Sequence, residues 1–227
     1  MPAMPDANVT RWSLVVAAGS GDAAGREALA WLCRQYWDPL RAHARRRGWR
    51  DDEDAIQDFL VDLIQRGAFA QADRERGRFR TWLLTCLDHF LAKRAEAAAA
   101  QKRGGGRVER LPDGDEVVGA SATAFDRDWA QAVLGLAEDR LAAEQSDQNR
   151  WQILRPFLSA NGDADAYRAA GARLGLGEGA VKVAIHRLRA RLREFVRAGV
   201  ADTLAEDDPR VIDGELDQLI AALAERR

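Results

Sequence analysis

An all-α fold is predicted: two small helical domains joined by a flexible linker, with an acidic helix at the C-terminus. Three observations predict it. Alanine, leucine and arginine dominate while β-branched runs are few, which favours helix over strand. Apolar residues recur at steps of three and four through most of the chain, the period of one helical face. The stretch 101–124, QKRGGGRVERLPDGDEVVGASATA, interrupts that period with glycines and a proline and reads as the linker. At 227 residues the chain can bury one large or two small cores. The expected bodies are residues 10–100 and 125–200, followed by an extension over 201–227.

In the first body, Thr10 can cap a short helix through Ala18. A longer helix follows from Ala23 to Arg47, with Leu29, Leu32, Cys33, Tyr36, Trp37 and Leu40 turned inward. Pro39 should kink it, and Gly48 stops it. Asp51 to Asp54 open a third helix that Gly67 ends. Its inner face is Ala55, Ile56, Phe59, Leu60, Leu63 and Ile64, and its outer face Asp54, Gln57, Asp58, Val61, Asp62 and Gln65. First-turn acids compensate the helix dipole, but Asp58 and Asp62 lie too far along for that explanation. A polar loop, AQADRERGR, leads into a helix from Phe79. Its expected core stripe is Phe79, Trp82, Leu83, Cys86, Leu87, Phe90 and Leu91, with Arg78, Arg80, Thr81, Thr85, His89, Lys93 and Arg94 outside. Cations and hydroxyls beside aromatics suit single-stranded DNA, though a plain amphipathic helix shares the mixture.

The second body opens with Phe125, Trp129, Val133 and Leu136 on one stripe, then Trp151 to Leu158. Asp163 or Asp165 can cap a helix to Leu174 packed through Tyr167, Ala169, Ala170 and Leu174, with Ala170 small where two helices approach. Gly175 can take the left-handed conformation that ends it, and Leu176 can plug the core beneath the turn. From Glu178 the chain reads EGAVKVAIHRLRARLREFV. Val181, Ile185, Leu188, Leu192 and Phe195 share one face, while Lys182, His186, Arg189 and Arg193 share another. A helix, a glycine turn and a basic helix is the order of a DNA-reading helix-turn-helix. Asp208 and Pro209 start the last helix, with Ile212, Leu216, Leu219, Ile220 and Leu223 as its apolar side.

Charge is unevenly spread. Glu178 to Arg197 holds six basic and two acidic residues, whereas 201–227 holds three basic and eight acidic. The local cation surplus is the footprint of a nucleic-acid reader. The mild overall balance predicts weak binding to bare DNA and therefore work with a partner. The acidic extension should dock on the chain's own helical body and shield a basic surface, or else extend the second core. No apolar stretch is long enough to span a bilayer, and the first ten residues lack the basic and apolar regions of a secretion signal. A cytoplasmic protein without membrane contact is expected. Cys33 and Cys86 fall on apolar faces and read as free thiols. Three scattered histidines and no nucleophile motif argue against an enzyme, and no metal or cofactor is expected.

The order of these features resembles an extracytoplasmic-function (ECF) sigma factor of RNA polymerase, of the sigma-70 family, over about residues 10–200. DEDAIQDFLVDLI at Asp52–Ile64 is similar to the region-two helix that grips the polymerase clamp helices. GRFRTWLLTCLDHFLAKR at Gly77–Arg94 is similar to the helix that opens the minus-ten element. LGLGEGAVKVAIHRLRARLRE at Leu174–Glu194 is similar to the region-four reader of the minus-thirty-five element. The resemblance makes residues 10–100 sigma region 2 and residues 125–200 sigma region 4.

That resemblance implies roles. Asp54, Gln57, Asp58 and Asp62 would bind core RNA polymerase, and Asp73, Arg74, Arg76, Arg78, Arg80, Lys93 and Arg94 would hold minus-ten DNA. ADRERG at Ala72–Gly77 would be the loop holding a flipped base. Glu178, Lys182, Val183, His186 and Arg187 would face the major groove at the minus-thirty-five element. Core RNA polymerase and promoter DNA are the implied partners, with an anti-sigma factor or other regulator as a further candidate. Ala180, Val183 and Ala184 stand where many relatives carry hydroxyl or basic residues, so no promoter sequence transfers. Ile56 stands where some relatives have a phosphorylatable threonine, which excludes that control here. The rival expectation is a helix-turn-helix regulator that never touches polymerase, with the N-terminal body as a ligand or dimerisation module. A deep apolar pocket in residues 10–100 would favour it, and an exposed acidic helix with an open basic groove would favour the sigma reading.

Overall fold

The computed structural model describes residues 23–71, 79–103, 115–204 and 208–224, and among them there are helices and no strand. The expected helix from Thr10 to Ala18 lies outside the described residues. The described chain divides into two compact units, one drawn from residues up to Ala132 and from Val200 onward, the other Val133–Gly199.

In the first unit, α1 (Ala23–Arg46) buries Leu32, Tyr36, Leu40 and Ala44 at four-residue steps, and contains Pro39. Its last turn carries Arg45 and Arg46, cations that suit the negative end of the helix dipole, along with His43. Gly48 then turns at φ 85°, a conformation that favours glycine. α2 (Asp52–Gln65) starts with Asp52, Glu53 and Asp54, and Arg41 Nε donates to Asp52 Oδ2 at 2.7 Å. That hydrogen bond holds the Asp52 carboxyl below its usual range. Ala55, Ile56, Phe59 and Leu63 are buried. Ile64, expected inward, is exposed because it lies beyond the buried arc those four define. The space past the helix end is filled by Ala68 and Phe69 from a short 3-10 turn, Ala68–Gln71.

Helix α3 (Phe79–Arg103) buries Phe79, Leu83, Leu84, Leu87 and Leu91, together with Arg80. Trp82 and Cys86, expected at the core, are half-buried at its rim. The buried arc is rotated toward Arg80 and Leu84 because further chain packs on that flank. Part of it is α4 (Asp115–Ala143), which takes up residues 115–124 of the expected linker as helix. α4 contributes Phe125, Trp129 and Ala130 to this core. The rest is α8 (Pro209–Ala224), which buries Ile212, Glu215 and Leu219. Its apolar stripe was expected to include Ile220, which is 60% exposed. The acidic extension therefore packs in the first unit and does not extend the second core.

Arg80 joins the layers. Its guanidinium reaches Asp126 Oδ1 at 2.8 Å and Glu215 Oε2 at 2.6 Å, and lies 4.6 Å from the centre of the Trp129 ring. Burial works against its charge, and the two carboxylates more than compensate. Tyr36 is buried beside this cluster, and burial pushes its phenol up. Two further links run between helices: His43 Nε2 donates to Asp88 Oδ1 at 2.7 Å and Arg46 Nη1 to Asp128 Oδ2 at 2.6 Å.

The second unit contains the end of α4, α5 (Gln148–Leu154), a 3-10 turn (Arg155–Phe157), α6 (Ala164–Leu174) and most of α7 (Glu178–Ala201). Asp163 caps α6 by accepting from the Ala166 N–H at 2.8 Å. Gly175 ends that helix at φ 66°, the left-handed cap read from sequence. Two apolar clusters make the core. One gathers Ile153, Leu154, Ala170, Val181, Ala184 and Ile185, with Leu176 packed against it. The other gathers Ala137, Leu141, Trp151 and Leu192. Ala170 packs with Val181, Ala184 and Ile185 of the next helix, and its neighbour Gly171 makes a further close approach across the turn. A Cβ at Gly171 would stand 2.5 Å from the Leu176 carbonyl oxygen, and the Leu176 N–H donates to Gly171 O at 2.9 Å.

Candidate nucleic-acid interface

Three surfaces carry the residues singled out from sequence. On α2, Asp54, Gln57 and Asp58 are exposed and Asp62 is half-buried. They surround Val61 and Ile64, 49% and 38% exposed. The face thus combines carboxylates and an amide with two exposed aliphatic side chains. Asp58 pairs with Arg94 and Asp62 with Arg66. Surface pairs of this kind contribute about 0–1 kcal/mol, so a partner can take these carboxylates over at little cost.

On α3, Thr81, Thr85, His89 and Lys93 are exposed at four-residue steps, which puts successive groups about 6 Å apart along one stripe. Trp82 stands half-buried at its edge, its ring centre 5.4 Å from that of Phe79 and 6.2 Å from that of Phe69. Hydroxyl, imidazole and ammonium groups beside an indole can bond phosphates and stack on bases. Lys93 lies on this stripe as expected. Arg94 sits at the seam with α2, 5.7 Å from the Trp49 ring centre. Arg80 does not belong here: expected outward among the strand-binding cations, it is 4% exposed and consumed by Asp126 and Glu215. Its flank is covered by α4 and α8, which local periodicity cannot reveal. Asp73, Arg74, Arg76 and Arg78 lie outside the described residues.

On α7, burial of Val181, Ala184 and Ile185 turns Lys182, Val183, His186 and Arg187 outward, all exposed, with Glu178 half-buried in the first turn. Lys182 Nζ donates to Glu178 Oε1 at 2.6 Å, and this bond holds the Glu178 carboxyl below its usual range. The expected basic stripe then divides. Arg189 donates to Phe157 O, Ala160 O and Asn161 Oδ1 at 2.6–2.9 Å, closing off the carbonyls that follow α5. Arg191 bridges Glu144 and Glu194 at 2.5–2.9 Å. Arg189 and Arg191 thus have partners within the unit, while the first three turns of α7 carry Lys182, Val183, His186 and Arg187 outward.

The sequence pattern assigns Tyr167 to packing alone. Its ring lies 5.2 Å from Lys182 Nζ and stacks on Phe157 at 5.3 Å, and its hydroxyl accepts from the Gly162 N–H at 3.2 Å. The signal for this role is an aromatic one turn into the helix before a basic helix, which pattern alone does not separate from core packing.

Among the described residues no group of three His, Cys, Asp or Glu side chains could hold a metal ion, and no helix is long and apolar enough to cross a membrane. The cavity among Leu32, Tyr36, Leu40, Leu60, Phe69, Phe79 and Leu83 holds about 10 Å³, room for about one water molecule. Comparison with protein-family models, curated proteins and solved structures finds no match.

Proposed function

We propose that this chain is an alternative sigma factor of the extracytoplasmic-function type, a non-enzymatic protein that binds core RNA polymerase in the cytoplasm and directs promoter-specific initiation. The observation that carries the reading is the helix-turn-helix in which Lys182, Val183, His186 and Arg187 stand out from a helix anchored by Val181, Ala184 and Ile185. A helix exposing such a mixed set fits the major groove, where each base pair presents its own donors and acceptors.

The α2 face supports the polymerase half of the proposal. Exposed carboxylates and an amide in mid-helix around Val61 and Ile64 need a protein partner more than a dipole argument. The α3 stripe supports strand binding after melting. A deep apolar pocket in the N-terminal body would favour the rival regulator reading; among the described residues, the cavity beside Leu32, Tyr36 and Phe79 holds about 10 Å³.

The test is promoter selection. Random duplex DNA is transcribed by cognate core polymerase with and without the full chain, and transcribed templates are sequenced. The reading expects chain-dependent transcripts sharing two separated sequence elements. If the chain neither binds core polymerase nor changes which templates are transcribed, the sigma reading is wrong.

A further inference from the structure

We propose that Glu178 and Lys182 read base pairs as one unit, Lys182 donating to a guanine and Glu178 accepting from a cytosine within two base steps, with Tyr167 as the residue that positions Lys182. The inference deepens the DNA-reading half of the proposed function and rests on it.

The argument begins with charge. A lysine that anchors a phosphate works as a surplus cation, because affinity comes from counterions displaced by net positive charge. Lys182 offers no surplus: its ammonium touches the Glu178 carboxylate at 2.6 Å, and a phosphate brought there would meet the carboxylate as well. A base edge carries no net charge, so the same pair faces it without that repulsion, presenting a donor and an acceptor side by side. The major-groove edge of guanine offers O6 and N7 as acceptors, and that of cytosine offers the N4 amino group as donor. The ammonium and carboxylate are 2.6 Å apart, within reach of neighbouring base steps about 3.4 Å apart.

Geometry then argues for direction. Lysine has a flexible stem and ordinarily binds as a point charge. Here the ammonium is held between the Glu178 carboxylate and the Tyr167 ring. The ring is itself fixed by stacking on Phe157 and by the hydrogen bond from Gly162. Fixing a donor in advance lowers the ordering cost of each bond it makes. Val183, 51% exposed beside the pair, adds an aliphatic group suited to a thymine methyl.

The experiment selects duplexes from a random library with the immobilised full chain alone and, in parallel, with the full chain bound to core polymerase. Wild type is compared with Glu178→Gln, Lys182→Ala and Tyr167→Leu. Wild type should enrich a guanine and a cytosine at two fixed positions. Glu178→Gln should move the cytosine position to adenine, because glutamine pairs with adenine N6 and N7. Lys182→Ala should lower the guanine preference about tenfold while leaving the salt dependence unchanged. Tyr167→Leu, which keeps a bulky core side chain, should lower it about threefold, an estimate for a ring–cation contact at a partly exposed site.

Unchanged base preferences in the Glu178 and Lys182 variants overturn the proposal. So does a Lys182→Ala variant whose salt slope falls by about one with preference intact, the mark of a phosphate contact. Enrichment by the chain alone, with none through polymerase, refutes the sigma reading and leaves this one decided by the base preferences. Enrichment in neither arm overturns both.

Discussion

Replacing Glu215 by alanine strands a cation. Arg80 is 4% exposed, and Glu215, also 4% exposed, supplies the shorter of its two ion pairs at 2.6 Å. Removing one partner of a buried pair costs about 3–5 kcal/mol, because the other charge stays desolvated. Asp126 remains 2.8 Å away, but its side chain is 38% exposed, so its compensation is partial and the lower end, about 3 kcal/mol, is expected. At roughly 2–4 °C per kcal/mol for a chain of this size, the melting temperature should fall by about 6–12 °C. Thermal unfolding by circular dichroism measures the loss, and hydrogen exchange over residues 209–224 reports whether α8 loosens first. A second variant, Arg80→Met with Glu215→Leu, removes both charges and should recover to within about 1 kcal/mol of wild type, since apolar replacement of a buried pair is often neutral. A loss below about 1 kcal/mol in Glu215→Ala, or a double variant no better than the single one, would refute the view that this pair holds α8 in the first unit.

Asp54→Ala with Asp58→Ala should leave the circular dichroism spectrum and melting temperature within error, since the Asp58–Arg94 pair is exposed and surface pairs contribute little. The same variant should weaken capture by core polymerase at least fivefold, and undiminished capture would move the interface elsewhere. Gly171→Ala should destabilise the helix-turn-helix by about 2–4 kcal/mol, combining overpacking with a strained turn hydrogen bond, because its new Cβ would meet the Leu176 carbonyl at 2.5 Å. Urea denaturation checks it. Asp88 gives an acid limb to stability. Burial raises its pKa, but hydrogen bonds and charge from His43 and Arg47 outweigh that and hold it below the ordinary value. A depressed folded pKa means stabilisation that is present above the unfolded value of about 3.9 and lost as pH falls through the folded one. Asp88→Asn should therefore flatten the fall in melting temperature below about pH 4.

Sequence by itself determined the elements whose causes are local. The Asp163 cap, the left-handed Gly175, the buried Val181 and Ile185, and the outward Lys182, His186 and Arg187 all follow from side-chain chemistry within a few residues along the chain. The outward acids of α2 were legible for the same reason. Tertiary structure decided what depends on distant neighbours. Arg80 looked outward because one helix face was known and the second covering, by Asp126, Trp129 and Glu215 up to 135 residues away, leaves no periodic trace in α3 itself. The basic stripe of α7 looked uniform because period alone does not distinguish an arginine spent on Phe157 O or Glu144 from one facing solvent. The linker looked non-helical because glycine lowers local propensity, whereas helix over 115–143 is sustained where Phe125 and Trp129 bury their rings. Burial energy from partners far along the chain outweighs a propensity of about 1 kcal/mol per glycine, and a single sequence read locally carries no record of those partners.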